Sequence, residues 1–211
     1  MRSNPDAGPS FIQRARREQI IRATVETVAE TGLERASLAR IAGRLGIAKG
    51  SIVYHFEGRD QLVAAALDDV YARIAAAVTE RLSDAASPRD AVRRYITALV
   101  DHLDAHRSEA RLISDAFGRV GGPDDASSQV ESRWRALADL VRAALAQRPA
   151  GDSPAPDAEV LAISVSGAVD ALVGQALRDP SFDLSGAGET LAGYVDQLLD
   201  PGAVAGTTGT P

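Results

Sequence analysis

The 211-residue chain has no cysteine. That excludes disulfides, thiolate metal sites and a cysteine nucleophile. Aromatic residues make up only 4% of the chain against 45% hydrophobic residues in total, so a core must be assembled mostly from Ala, Leu, Val and Ile. The first ten residues, MRSNPDAGPS, hold no apolar run of signal-peptide type, and no later run reads as long enough to cross a bilayer. A soluble cytoplasmic protein without a membrane partner is therefore expected. Motifs for catalysis or nucleotide binding are missing as well: G-x-S-x-G, a P-loop, G-x-G-x-x-G and H-E-x-x-H do not occur. Neither an enzyme nor a cofactor is expected.

Lysine is nearly absent too, since 22 of the 23 basic residues are Arg and Lys49 stands alone. The net charge of −6 is unevenly placed. Met1 to Leu62 carries ten basic and seven acidic residues, net +3, while the remainder carries thirteen and twenty-two, net −9. A partner with negative charge is thus expected at the N-terminal end, with the acidic remainder turned away from it.

Within that basic portion lies Ser37 to Phe56, SLARIAGRLGIAKGSIVYHF. Leu38, Ile41, Ala42 and Leu45 recur at helical spacing, Gly46 interrupts, and Ile47 and Ile52 resume the pattern. Two short helices joined at a glycine make a helix-turn-helix. The second helix then presents Lys49, Gly50, Ser51, Tyr54 and His55 outward, a cation with hydroxyls and an imidazole suited to phosphates and base edges. A plain packing hairpin shares this spacing, and the flanking residues decide between the two.

Upstream, Ile20, Ala23, Val28, Ala29, Glu30, Gly32 and Leu33 follow the order I-x-x-A-x(4)-F-A-E-x-G-[YFL], with Val28 in the aromatic position. Ala36, Ser37, Ile41, Ala42, Gly46, Ile47, Lys49, Gly50, Ser51, His55, Phe56 and Leu62 continue it. This stretch, about Arg14 to Ile74, resembles the N-terminal domain of TetR family transcriptional regulators. The resemblance implies an all-α protein of about nine helices. It would comprise a disordered arm and helix start over 1–13, a three-helix DNA-binding domain over 14–74, and a helical effector-binding and dimerisation domain over 75–200. A disordered tail, 201–211, would follow.

The function implied is a ligand-responsive regulator, most simply a repressor that binds a palindromic operator in double-stranded DNA as a homodimer and is released by a small apolar or amphipathic effector. An activator, a DNA binder without ligand response, and a ligand-binding module without DNA function are the alternatives. Ser37, Arg40, Arg44, His55 and Arg59 are the implied phosphate contacts, with Lys49 to Tyr54 in the major groove. Two positions depart from the family pattern: Ala48 replaces the usual Ser, removing a capping hydroxyl, and Val53 stands where Tyr is common.

The remaining helices are expected from their stripes and punctuation. Ser10 with Gln13 fits a capping box for a first helix from Phe11 to Glu30. A fourth helix, Asp60 to Ser83, carries Leu62, Ala66, Val70, Ile74 and Val78 on one face. Ser87-Pro88-Arg89-Asp90 starts a fifth that runs to about His106. Helices over 109–120, 125–147, 157–177 and 189–199 follow, the third of these after the Pro-rich stretch 148–156. Tyr71, Tyr95, His102, Phe117 and Trp134 are the large or polar-tipped candidates for an effector pocket, with core packing as the alternative for each. His102 and His106, four apart, could face a metal together, but no third ligand is spaced for one, and no metal site is expected. Ala162, Ser166, Gly167, Asp170 and Gly174, with Leu191 and Leu198, form the expected dimer face of a four-helix bundle.

Overall fold

The computed structural model describes residues 11–117, 125–148 and 155–200, with the side chains of Phe117 and 125–133 outside that description. Among the described residues there are nine α-helices, one 3-10 turn and no strand. The helices are α1 (Phe11–Thr31), α2 (Leu38–Leu45), α3 (Lys49–His55), α4 (Arg59–Leu82), α5 (Pro88–Ala105), α6 (Arg107–Phe117), α7 (Asp125–Leu145), α8 (Ala158–Arg178) and α9 (Leu184–Leu199). The expected cap at Ser10, the stretch between the helices expected over 109–120 and 125–147, and the tail after Asp200 lie outside the described residues.

The apolar stripes account for the packing. Ile20, Ile21, Ala23, Val25 and Val28 of α1 are buried against Ile41, Ala42, Ile52 and Phe56 of α2 and α3 and Leu62 and Ala66 of α4. Fully burying an Ile or Leu contributes about 1.5–3 kcal/mol each, which lets helices as short as α2 and α3 persist through packing rather than propensity. The caps follow the sequence signals. The Ser37 hydroxyl accepts from Arg40 N, that of Ser87 from Asp90 N above Pro88, and the Asp157 carboxylate from Glu159 N and Val160 N. Ala48 gives α3 no side-chain cap.

Gly46 ends α2 in the left-handed region at φ 64° and ψ 30°. A Cβ there would meet no atom within 4 Å, so the need for glycine is one of backbone conformation alone. Gly46→Ala is accordingly expected to lower stability by about 1 kcal/mol without a cavity or clash, read as a shift in the thermal midpoint.

At the other end of the chain the structure corrects the expected ninth helix. It begins at Leu184, five residues early, because Asp183 caps it by accepting from Gly186 N. The Ser-Gly-Ala-Gly run, which precedes the expected 189–199 helix, is helical, and α9 lies very close to α5 there. A Cβ on Gly188 would sit 2.7 Å from Val100 Cγ1. Arg89 of α5 fastens the same contact through Asp196 and, at 2.6 Å, Asp200. The Arg89 guanidinium holds the Asp196 carboxyl below the usual carboxylate range. A depressed folded value means that this stabilisation is complete above the unfolded aspartate value of about 3.9 and is lost as pH falls through the folded one. The stability gap between the wild-type chain and Asp196→Asn should therefore close on acidification below about pH 4, as measured by denaturation at several pH values.

One further correction concerns α8. By length and composition it could cross a membrane, although the sequence reads as lacking such a run. Its small residues and single interior charge, Asp170, disguise its length as an apolar segment. Leu161, Ala162, Val165, Val169, Val173 and Ala176 form its buried side.

Candidate nucleic-acid interface

In the hairpin α2 packs on both α1 and α3, and α1 in turn packs on α4. Ser37, Arg40, Lys49, Gly50 and Ser51 are all exposed, His55 is half-buried, and the Tyr54 ring is 72% exposed. Most of the residues expected to face DNA are thus exposed on the hairpin. The hairpin also carries an apolar residue inside the expected Lys49–Tyr54 stretch and one contact that the sequence reading missed. Val53 is exposed beside Tyr54 and offers an apolar contact of the kind that suits a thymine methyl. Gln13 of α1 donates from Nε2 to the Tyr54 hydroxyl at 3.1 Å, which ties the recognition helix to the start of the chain. No local sequence signal links residues 41 positions apart.

Two expected phosphate contacts are placed differently. Arg44 turns back onto α1, donating from Nε to Glu26 at 2.8 Å and from both terminal nitrogens to Glu30 at 2.6 and 2.8 Å. Its side chain is 31% exposed, and its bonds hold the Glu30 carboxyl below the usual range. Arg59 is 27% exposed and donates from Nε to Ala36 O at 3.0 Å and from Nη2 to Leu33 O. Both guanidiniums are engaged in bracing the hairpin, that of Arg44 by glutamates one turn apart on α1 and that of Arg59 by carbonyls of the α1–α2 turn. Arg17 likewise packs over the Phe56 ring, 4.9 Å from its centroid.

A second feature lies between α4, α5 and α7, a cavity of about 550 Å³. Ile74, Ala75, Val78, Leu82 and Leu140 make it largely apolar, with Asp68, Tyr71, Thr79 and Tyr95 as its polar groups. Of the five pocket candidates, Tyr71 and Tyr95 therefore line it. Trp134 packs half-buried against the core and does not line it, and the Phe117 side chain lies outside the described residues. His102 is also elsewhere: its Nε2 is 2.9 Å from Glu109 on α6, and its ring stacks on His106 at 4.3 Å between centroids. No group of three or more metal-ligating side chains occurs among the described residues.

The expected dimer face divides. Ala162 is 0% exposed and belongs to the subunit's own core, so it is removed from that face. Gly167, Asp170 and Leu198 are exposed, while Ser166, Gly174 and Leu191 are half-buried. Val160, Ile163 and Tyr194 join them as large exposed apolar residues that the small-residue pattern did not reveal.

An exposed recognition helix on a braced hairpin, in an all-helical chain that also holds a half-open apolar cavity, defines a helix-turn-helix transcriptional regulator. A family model described as "Bacterial regulatory proteins, tetR family" matches residues 20–66. The HTH-type transcriptional regulator BetI 1 of Chromohalobacter salexigens is 30% identical over 195 residues, covering 89% of this chain and 92% of that protein. BetI of Escherichia coli is 34% identical over 90 residues, 43% of this chain and 45% of that protein. Among solved structures, FadR of Bacillus subtilis in complex with stearoyl-CoA superposes with a TM-score of 0.74 at 17% identity, covering 86% of this chain and 97% of that one. The chain belongs to the TetR family and is a DNA-binding transcriptional regulator.

Proposed function

We propose that the chain is a homodimeric repressor that binds a palindromic operator and is released when a small apolar or amphipathic effector occupies the α4–α5–α7 cavity. The observation that carries this reading is the pairing of two features in one chain: an outward α3 bearing Lys49, Ser51 and Tyr54, and a mostly apolar 550 Å³ cavity lined by α4, whose first residue adjoins the hairpin. The volume falls in the range of small-molecule sites. Ser37, Arg40 and His55 are the phosphate contacts, supported by the exposure of Ser37 and Arg40, and Lys49, Gly50, Ser51 and Tyr54 face the groove. The exposed apolar Val160, Ile163, Tyr194 and Leu198, together with Gly167 and Asp170, form the subunit contact. Such a patch is costly to leave in water. The working compartment is the cytoplasm, where the DNA is.

An effector that binds the released arrangement more tightly lowers operator affinity by that difference alone. The test is selection of duplexes from a random pool by the full-length chain. Two inverted half-sites about one helical turn apart are expected. Enriched sites without two-fold symmetry would remove the dimer from the proposal, and no enrichment would remove its DNA function.

A further inference from the structure

Residues 11–19 of α1 run clear of the core, and within this stretch Gln13 alone is half-buried. What draws it in is α3. Gln13 and Arg17 stand four residues apart and so share one side of α1. Gln13 Nε2 donates to the Tyr54 hydroxyl at 3.1 Å, and the Arg17 guanidinium lies over the Phe56 ring two residues further along the chain. Tyr54 is therefore held at two points although it is largely exposed. The His55 ring packs edge-on against its ring at 5.1 Å between centroids, and Gln13 engages its tip.

A phenol has one O–H to give, and its oxygen accepts on the side away from that hydrogen. With the Gln13 N–H on the accepting side, the Tyr54 O–H is turned away from α1. On a side chain this exposed, that hydrogen is left for solvent or for DNA. In the major groove it suits guanine O6 and N7, adenine N7 and thymine O4, whereas the amino groups of cytosine and adenine are donors themselves and oppose it. A tyrosine without the Gln13 contact would rotate its hydroxyl and give or accept as the base required.

We propose that Gln13 is a specificity-determining residue, which fixes Tyr54 as a hydrogen-bond donor and so selects an acceptor edge at one base pair of each half-site. The proposal rests on the reading of α3 as the DNA-facing helix and deepens it. Gln13 acts as a positioning residue, through Tyr54. Part of the base preference of α3 is then written 41 residues upstream of the residue that expresses it.

The test is anisotropy of a labelled duplex obtained by selection, and of its single-pair variants, with the full-length chain. Tyr54→Phe removes the hydroxyl, keeps the ring and identifies the pair. Discrimination there against a base that presents a donor is expected to fall about three- to ten-fold, the worth of one neutral hydrogen bond. Gln13→Glu offers only acceptor oxygens, captures the Tyr54 O–H and should lose about as much at the same pair. Gln13→Lys, a donor with no acceptor, should keep the discrimination to within about two-fold. Both variants alter affinity for every sequence by their charge, and the ratio between duplexes cancels that change. In the Tyr54→Phe background neither should move the ratio further. The proposal is overturned, with DNA binding left in place, by an unchanged ratio at every pair in Tyr54→Phe or by a wild-type ratio in Gln13→Glu. Loss of discrimination in Gln13→Lys, or a Gln13 effect that survives in Tyr54→Phe, overturns it equally. A wild-type chain that selects and binds no duplex overturns the DNA-facing reading of α3 and this proposal with it.

Discussion

Lys49→Glu is expected to weaken operator binding about 100-fold, the largest loss from any single exposed residue. Lys49 is the first residue of α3, exposed, and the sole lysine of the chain. An ammonium there acts as a point charge toward phosphate, and reversing it replaces attraction by repulsion at the closest approach to the duplex. Lys49→Ala should lose less, weaken all sequences alike, and lower the slope of log affinity against log salt by about one. Arg44→Ala provides the contrast. Its guanidinium is bound to Glu26 and Glu30, so its loss should reduce stability and leave the salt slope as it was. Anisotropy titrations at several salt concentrations separate the two, and equal slopes for Lys49→Ala and the wild-type chain would displace Lys49 from the interface.

Phe56→Ala is expected to cost about 3–5 kcal/mol of stability, the largest loss from a core position. Phe56 is 2% exposed and the bulkiest fully buried side chain among the described residues. It terminates α3 with an N–H bonded to Ile52 O, and its ring carries the Arg17 guanidinium. Removing the ring leaves a void beneath the recognition helix and frees Arg17. Denaturant unfolding would read the loss directly, and a cost below about 1 kcal/mol would mean that the hairpin is held mainly by its surface bonds.

The all-helical architecture and the family were legible because they rest on local signals: 3.6-residue stripes, Ser and Asp caps, a proline at the first position of α5, and Gly46 in the hairpin turn. Exposure of Tyr54 on α3 was legible for the same reason, since a residue two positions after the buried Ile52 lies on the other side of the helix. What escaped depends on contacts between residues distant in sequence. Arg44 and Arg59 have the composition of phosphate contacts, and only the folded chain reveals the carboxylates and carbonyls that reach them first. Ala162 carried the small-residue signature of an interface and lies instead inside its own subunit. The glycines near the start of α9 lay outside the expected helix, and the close approach of Gly188 to Val100 shows only in the folded chain. The contact of Gln13 with Tyr54, 41 residues apart, left no trace in either local pattern.

The measurement that bears most directly on DNA docking through α3 is methylation interference on a selected duplex. Methylation of guanine N7 blocks an acceptor that lies in the major groove. A dimer that inserts Lys49 to Tyr54 there predicts interference at guanines within two half-sites about one helical turn apart, with the intervening pairs insensitive. Binding unaffected by N7 methylation throughout the site would contradict it.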